Sequence, residues 1–189
     1  MWTRKVATLV SLALAPQIYG GLVAYALWHH FRAGSVEALA VLLLTQTVLP
    51  LLPILIDTLR GKVDIFVTER VKRWKYYLLT LLSYAVGTVY VLKRDLSVYV
   101  PFYASYALIA TVMAVITLRW KISVHTAGIA GPTTVLVYML GLDKAFLYLL
   151  LIPVAWARHE LRAHTAMQLL AGAFVAFALT LLVCEALPF

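Results

Sequence analysis

Charge is what this sequence has least of. Of its 189 residues 13% are charged and 63% hydrophobic, where a soluble domain holds about 25% charged and about 45–50% apolar residues. That shortage excludes an ordinary soluble domain and places the chain in the membrane class. Acid is scarcer still: 8 Asp and Glu stand against 16 Lys and Arg, a net charge of +8. The excess does not point to nucleic acid, because the bases lie in short breaks between apolar runs and are not interleaved with aromatics. A single cysteine, Cys184, excludes an internal disulfide and a CxxC-type metal site. Internal repeats, low-complexity tracts and polar linkers are also missing, so one integral membrane domain over residues 1–189 is expected. The N-terminus imitates a signal peptide, with Arg4 and Lys5 ahead of an apolar stretch that reaches Ala13-Leu14-Ala15. Pro16 stands where cleavage would occur and apolar sequence continues to Trp28, which favours an uncleaved first span.

What the sequence has in plenty is apolar runs of about 20 residues, the length needed to cross a hydrocarbon core about 30 Å thick. Five are clear: Val6–Trp28, Val36–Ile56, Tyr76–Leu92, Tyr99–Leu118 and Thr165–Leu187. Two shorter runs, Thr126–Leu140 and Ala145–Trp156, flank a Gly141-Leu142-Asp143-Lys144 turn. Read as a hairpin of two helices they make seven spans; read as re-entrant they leave five. The runs lack strand alternation, and a helix satisfies its own backbone in lipid. The expected fold is therefore all-α, a polytopic transmembrane helix bundle of about six to seven spans.

Numbering the spans puts the breaks 57–75, 119–125 and 157–164 on one face with the N-terminus. That face carries 12 of the Lys and Arg residues and the opposite face carries four, Arg32, Lys93, Arg94 and Lys144. The positive-inside rule then makes the N-terminal face cytoplasmic.

In the first of these breaks Arg70 and Arg73 are three residues apart, the spacing of one helix face. They read either as a solvated basic anchor or as a phosphate clamp, since guanidinium donates paired, charge-assisted hydrogen bonds to phosphate. In the second, Lys121, Ser123 and His125 stand where a helix begins, so the hydroxyl and free amides there suit an anion. Gly128 nearby suits a close helix approach. In the third, "ARHELRAHTAMQ" brings Arg158, His164 and Gln168, the last two one helical turn apart. The plainer reading is a basic loop with Gln168 capping a helix; His159 and Arg162 read as surface residues. Together the three breaks place arginines, a serine and two histidines on one membrane face, a set suited to phosphoryl transfer.

The second and third breaks resemble the type 2 phosphatidic acid phosphatase superfamily of membrane lipid phosphatases, over roughly residues 64–172. Its third signature, S-R-x5-H-x3-D, is matched in spacing by Ala157-Arg158, His164 and Gln168. Its second, P-S-G-H, is matched by Ser123 and His125 within Ile122-Ser123-Val124-His125. Its first, K-x6-R-P, is matched by Arg73 alone, which precedes Trp74 and lacks a lysine seven residues earlier. The resemblance implies that His164 is the nucleophile and forms a phosphohistidine, and that His125 is the general acid and then the base. It implies that Arg158, Arg73 and Ser123 hold the phosphoryl oxygens, with Arg70 and Lys121 assisting, and that no metal or cofactor takes part. Gln168 stands where the family has the aspartate that orients the histidine. The expected activity is hydrolysis of a lipid or prenyl phosphate or diphosphate; the alternative is an inactive lipid-phosphate binder or scaffold. A third class, a prenyl transferase, is suggested by Asp57 and Asp64 near the membrane boundary.

Overall fold

The computed structural model describes residues 2–187. The chain is all-helical, with no strand among the described residues. The first apolar run forms two helices, α1 (Trp2–Ala13) and α2 (Pro16–Phe31), bent by 43°. Proline causes the break: Pro16 fits the first turn of a helix but holds Ala15 in extended backbone, φ −62° and ψ 141°. The second run is a continuous helical segment, Val36–Leu59, made of α3 (Val36–Leu43), a π turn over Leu44–Val48 and α4 (Leu49–Leu59). Pro50 has no amide to offer the carbonyl of Gln46, and the widened turn accommodates the missing bond.

Next come α5 (Trp74–Lys93), α6 (Val100–Thr117) and α7 (Val124–Leu140). A 3-10 stretch, Leu142–Leu150, leads into α8 (Leu151–Glu160), and α9 (Ala166–Ala186) closes the bundle. Among the described residues four helical segments are long and apolar enough to cross a membrane, and five if the bent α1–α2 pair is one crossing. The other elements are α7, of 17 residues, and the limb Leu142–Glu160. They form the hairpin expected from the two shorter runs. A 3-10 helix rises about 2 Å per residue, so this limb reaches further than its short α-helix alone.

The core is built round α7, whose residues Thr126–Leu136 are all buried. It packs against α2, α6, α8 and α9. Small side chains permit this: a Cβ on Gly128 would stand 2.5 Å from Pro16 Cβ, so α2 begins directly against α7. Apolar side chains such as Leu52, Leu82, Val86, Phe174 and Leu182 face outward, as a lipid-exposed surface requires.

Candidate functional site

The starts of α7 and α9 are stitched together. Ser123 caps α7, its Oγ accepting from Thr126 N at 3.4 Å. Thr165 caps α9 in a capping box: Gln168 N donates to Thr165 Oγ1 at 3.4 Å, and Thr165 N donates to Gln168 Oε1 at 3.1 Å. Two cross-links join the caps, Ser123 N to the Gln168 carbonyl at 3.2 Å and Thr126 Oγ1 to the Leu169 carbonyl at 2.8 Å. The approach needs Gly172, where a Cβ would lie 2.3 Å from the Ser123 carbonyl oxygen. After α8 the chain reverses at Arg162, φ 52°, and Ala163 N donates back to the Arg158 carbonyl at 3.0 Å. The second and third breaks thus become one surface.

His164 is buried there, and its Nδ1 donates to the Lys121 carbonyl at 3.0 Å. Gln168 Oε1 is a second acceptor at 3.3 Å. The Thr165 N–H requires an oxygen opposite it, which fixes the orientation of the Gln168 amide. With Nδ1 carrying the proton, Nε2 is left as the basic nitrogen. Burial pushes the His164 pKa down to about 4, and the nearby Arg73 and Arg158 guanidiniums add to the effect. The ring is neutral at pH 7. His125 leans on the backbone of Ser11, and its Nε2 is buried with no hydrogen-bond partner.

Two arginines face these rings. Arg73 is 6% exposed and Arg158 1% exposed. Arg73 Nε donates to the Val67 carbonyl at 2.8 Å, while its Nη1 has no partner. Arg158 leaves both Nε and Nη1 without partners. Among the described residues no salt bridge involves either side chain. Their charges reach Lys121, whose pKa is lowered by burial first and then by Arg73 and Arg158.

A loop covers the pair. The Phe66 ring lies 4.5 Å from the Arg158 guanidinium carbon and meets His125 edge-on at 5.8 Å. Asp64 shapes this loop by accepting from Phe66 N at 2.9 Å, Thr68 N at 2.8 Å and Thr68 Oγ1 at 2.9 Å. Burial pushes the Asp64 pKa up, but the hydrogen bonds from Thr68 and Phe66 outweigh it and leave the carboxyl below its ordinary range. Val67 adopts φ 45°, a costly conformation for a β-branched residue and one that recurs at functional sites.

These elements close one end of a cavity of about 350 Å³. Arg73, His125 and His164 line the polar end. From there an apolar shaft bounded by Leu51, Ile54, Ile109 and Met113 runs inward to Tyr84 and Tyr106. The volume lies at the lower end of the range for small-molecule sites, and the shape is that of an amphiphile: anionic head, apolar tail.

The cavity gathers Arg73, His125 and His164 from three separate breaks, with Arg158 and Lys121 beside them. Two expected site residues are engaged elsewhere, and a third divides its bonds between the site and a helix cap. Arg70, expected at the phosphate, instead donates Nη1 to the Thr117 carbonyl at 2.7 Å and to the Leu118 carbonyl, capping the end of α6. Ser123 is occupied as the N-cap of α7. Gln168, expected as the main orienting partner of His164, is chiefly a capping residue, because the Lys121 carbonyl is the nearer acceptor. His159 and Arg162 are exposed, as expected. Sequence reasoning missed Phe66, Val67 and the Lys121 carbonyl, and it weighed Asp64 only for a prenyl transferase. Phe66 occupies the position seven residues before Arg73 where the family resemblance asks for lysine. The Asp64–Thr68 spacing, an acid ahead of a threonine in a helix break, was the one readable signal for the loop. Among the described residues no three His, Cys, Asp or Glu side chains stand close enough to hold a metal ion. Comparison with known protein families, with curated proteins and with solved structures gives no match to this chain.

Proposed function

We propose that this protein is an integral membrane phosphatase that hydrolyses a lipid or prenyl phosphate or diphosphate at the cytoplasmic membrane face. One observation carries the reading: two buried arginines with unpartnered guanidinium nitrogens stand beside a histidine with a free Nε2, at the polar end of an apolar cavity. Two buried cations offset only by the more distant Asp64 carboxylate are costly, and a phosphoryl group supplies both the missing charge and the acceptors.

In the proposed reaction His164 Nε2 attacks phosphorus and the bond to the leaving oxygen breaks. His125 donates its proton to that oxygen, giving the lipid alcohol, or the lipid monophosphate from a diphosphate. The substrate's negative charge is the counter-ion that lets His125 carry this proton. Water then attacks the phosphohistidine, His125 takes the water proton, and orthophosphate leaves with His164 restored. Arg73, Arg158 and Lys121 stabilise the charge on the phosphoryl oxygens throughout. The Arg158–His164 spacing, which resembles that of the phosphatidic acid phosphatase superfamily, supports these roles. The distribution of 12 against four basic residues supports the cytoplasmic orientation.

Purified protein in detergent is expected to release phosphate from members of a panel of lipid and prenyl phosphates, and to trap phosphate on His164. Release unchanged in His164→Ala would reject the mechanism. A second reading, a binder without turnover, is favoured by the use of Gln168 as a helix cap and by the lack of a carboxylate on His164. Binding of the same lipids with neither release nor a trapped intermediate would select it.

A further inference from the structure

The inner end of the cavity is polar. Tyr84 and Tyr106 line it, their rings meeting edge to face at 5.4 Å and 72°. Gln46, fully buried, has its amide beside both phenols. Gln46 stands behind the lining phenols and within reach of each, yet no well-aligned bond joins them: Gln46 Oε1, Gln46 Nε2 and the Tyr106 hydroxyl are buried without a partner of good geometry. An unsatisfied amide at mid-helix depth is expensive, and such groups in membrane helices mark function.

The backbone around Gln46 is held firmly. Gln46 lies in the π turn, a form frequent at functional sites. Thr45 Oγ1 and the Tyr103 hydroxyl are bonded at 2.6 Å, and Ser83 Oγ donates to the Thr45 carbonyl at 2.6 Å. On the other side Thr47 Oγ1 donates to the Gln17 carbonyl at 3.0 Å. The residues flanking Gln46 are therefore anchored, while its own amide meets only the two phenols. Gly20 leaves room for the cluster: a Cβ there would stand 2.5 Å from the Tyr106 hydroxyl and 2.6 Å from Gln46 Nε2.

We infer that Gln46, Tyr84 and Tyr106 form a second subsite, which binds a hydroxyl or carbonyl on the tail of the ligand. Tyr84 lies eleven residues beyond Arg73 on α5, or about 16 Å at the helical rise, which sets the distance between the ligand's two polar ends. The amide and the phenols each offer a donor and an acceptor, so a hydroxyl satisfies several of them at once. A methyl end would leave them all unpaired. The subsite deepens the phosphatase reading by naming the tail chemistry, and it uses that reading only to say which end the phosphate enters.

The test is binding by the full-length protein in detergent, with dodecyl phosphate against 12-hydroxydodecyl phosphate, and dodecanol against 1,12-dodecanediol. The hydroxyl is expected to tighten binding about tenfold in both pairs. Tyr106→Phe and Gln46→Leu are each expected to bring the ratio close to one while leaving the affinity for inorganic phosphate unchanged. Equal binding within both pairs, or a ratio that survives in both variants, overturns the subsite. If the diol outbinds dodecanol while phosphate adds nothing to either chain, the subsite stands and the phosphate reading fails.

Discussion

Two clusters of charge flank the start of α5, and they are built in opposite ways. Asp57 in the first accepts from Lys75 Nζ and from the Tyr76 hydroxyl at 2.9 Å, and lies 3.6 Å from Lys62 Nζ. Arg73 and Arg158 in the second are more deeply buried and form no salt bridge among the described residues, the Asp64 carboxylate acting on both only at longer range. A shortage of acid does not explain this, because the same break contains Asp57, Asp64 and Glu69. Asp57 takes lysines, Glu69 takes Lys72 at 2.6 Å, and Asp64 takes backbone amides and a threonine hydroxyl. The acids nearest the arginines are thus committed to other partners. A cluster whose cations are left open beside a cavity is suited to an anion from outside.

The largest effect belongs to the nucleophile at the open cluster. His164→Ala is expected to lower kcat for phosphate release at least about 10³-fold, since residual turnover rests on binding alone. Arg158→Met comes next and separates the two clusters most sharply. A buried charge without a salt bridge, replaced by an apolar side chain of similar volume, is expected to raise the melting temperature. The same change is expected to weaken phosphate binding about 10- to 100-fold, measured by calorimetry.

The pH dependence follows from the depressed His164 value, about 4 when folded against about 6.5 when unfolded. Between these values the unfolded chain binds the proton more readily, so this contribution to stability is lost as pH falls from about 6.5 towards 4. His164→Gln is expected to flatten that part of the stability profile. Gln168→Ala should be milder still: the lost cap costs about 1 kcal/mol, and kcat falls less than about tenfold because the Lys121 carbonyl still holds Nδ1. A fall near 10⁴ would instead make Gln168 the essential orienting group. Least affected is Asp57→Asn at the closed cluster, expected to lower the melting temperature only slightly and to leave phosphate affinity unchanged.

The arrangement was legible wherever it rests on spacing along one helix or helix start. His164 and Gln168 share a turn of chain, whereas Pro16, read only as an obstacle to cleavage, also bends the first span. Gly128 was read correctly as a point of close approach, though its partner Pro16 was not foreseen. What spacing did not disclose are contacts made across the fold. Arg70 and Arg73 look equivalent in sequence, yet one reaches the carbonyls ending α6 and the other turns into the cavity. The Lys121 carbonyl orients His164 through backbone, which no side-chain motif records. Phe66 covers Arg158 only because Asp64 bends the intervening loop.

The most direct measurement is the melting temperature of the wild type and of Arg158→Met, each with and without inorganic phosphate. An anion that binds only the folded protein raises its stability with concentration. The expected result is a wild type that gains stability as phosphate is added, and a variant that starts higher and does not respond. A wild type indifferent to phosphate, or a variant that responds equally, would contradict an anion site at the open arginines.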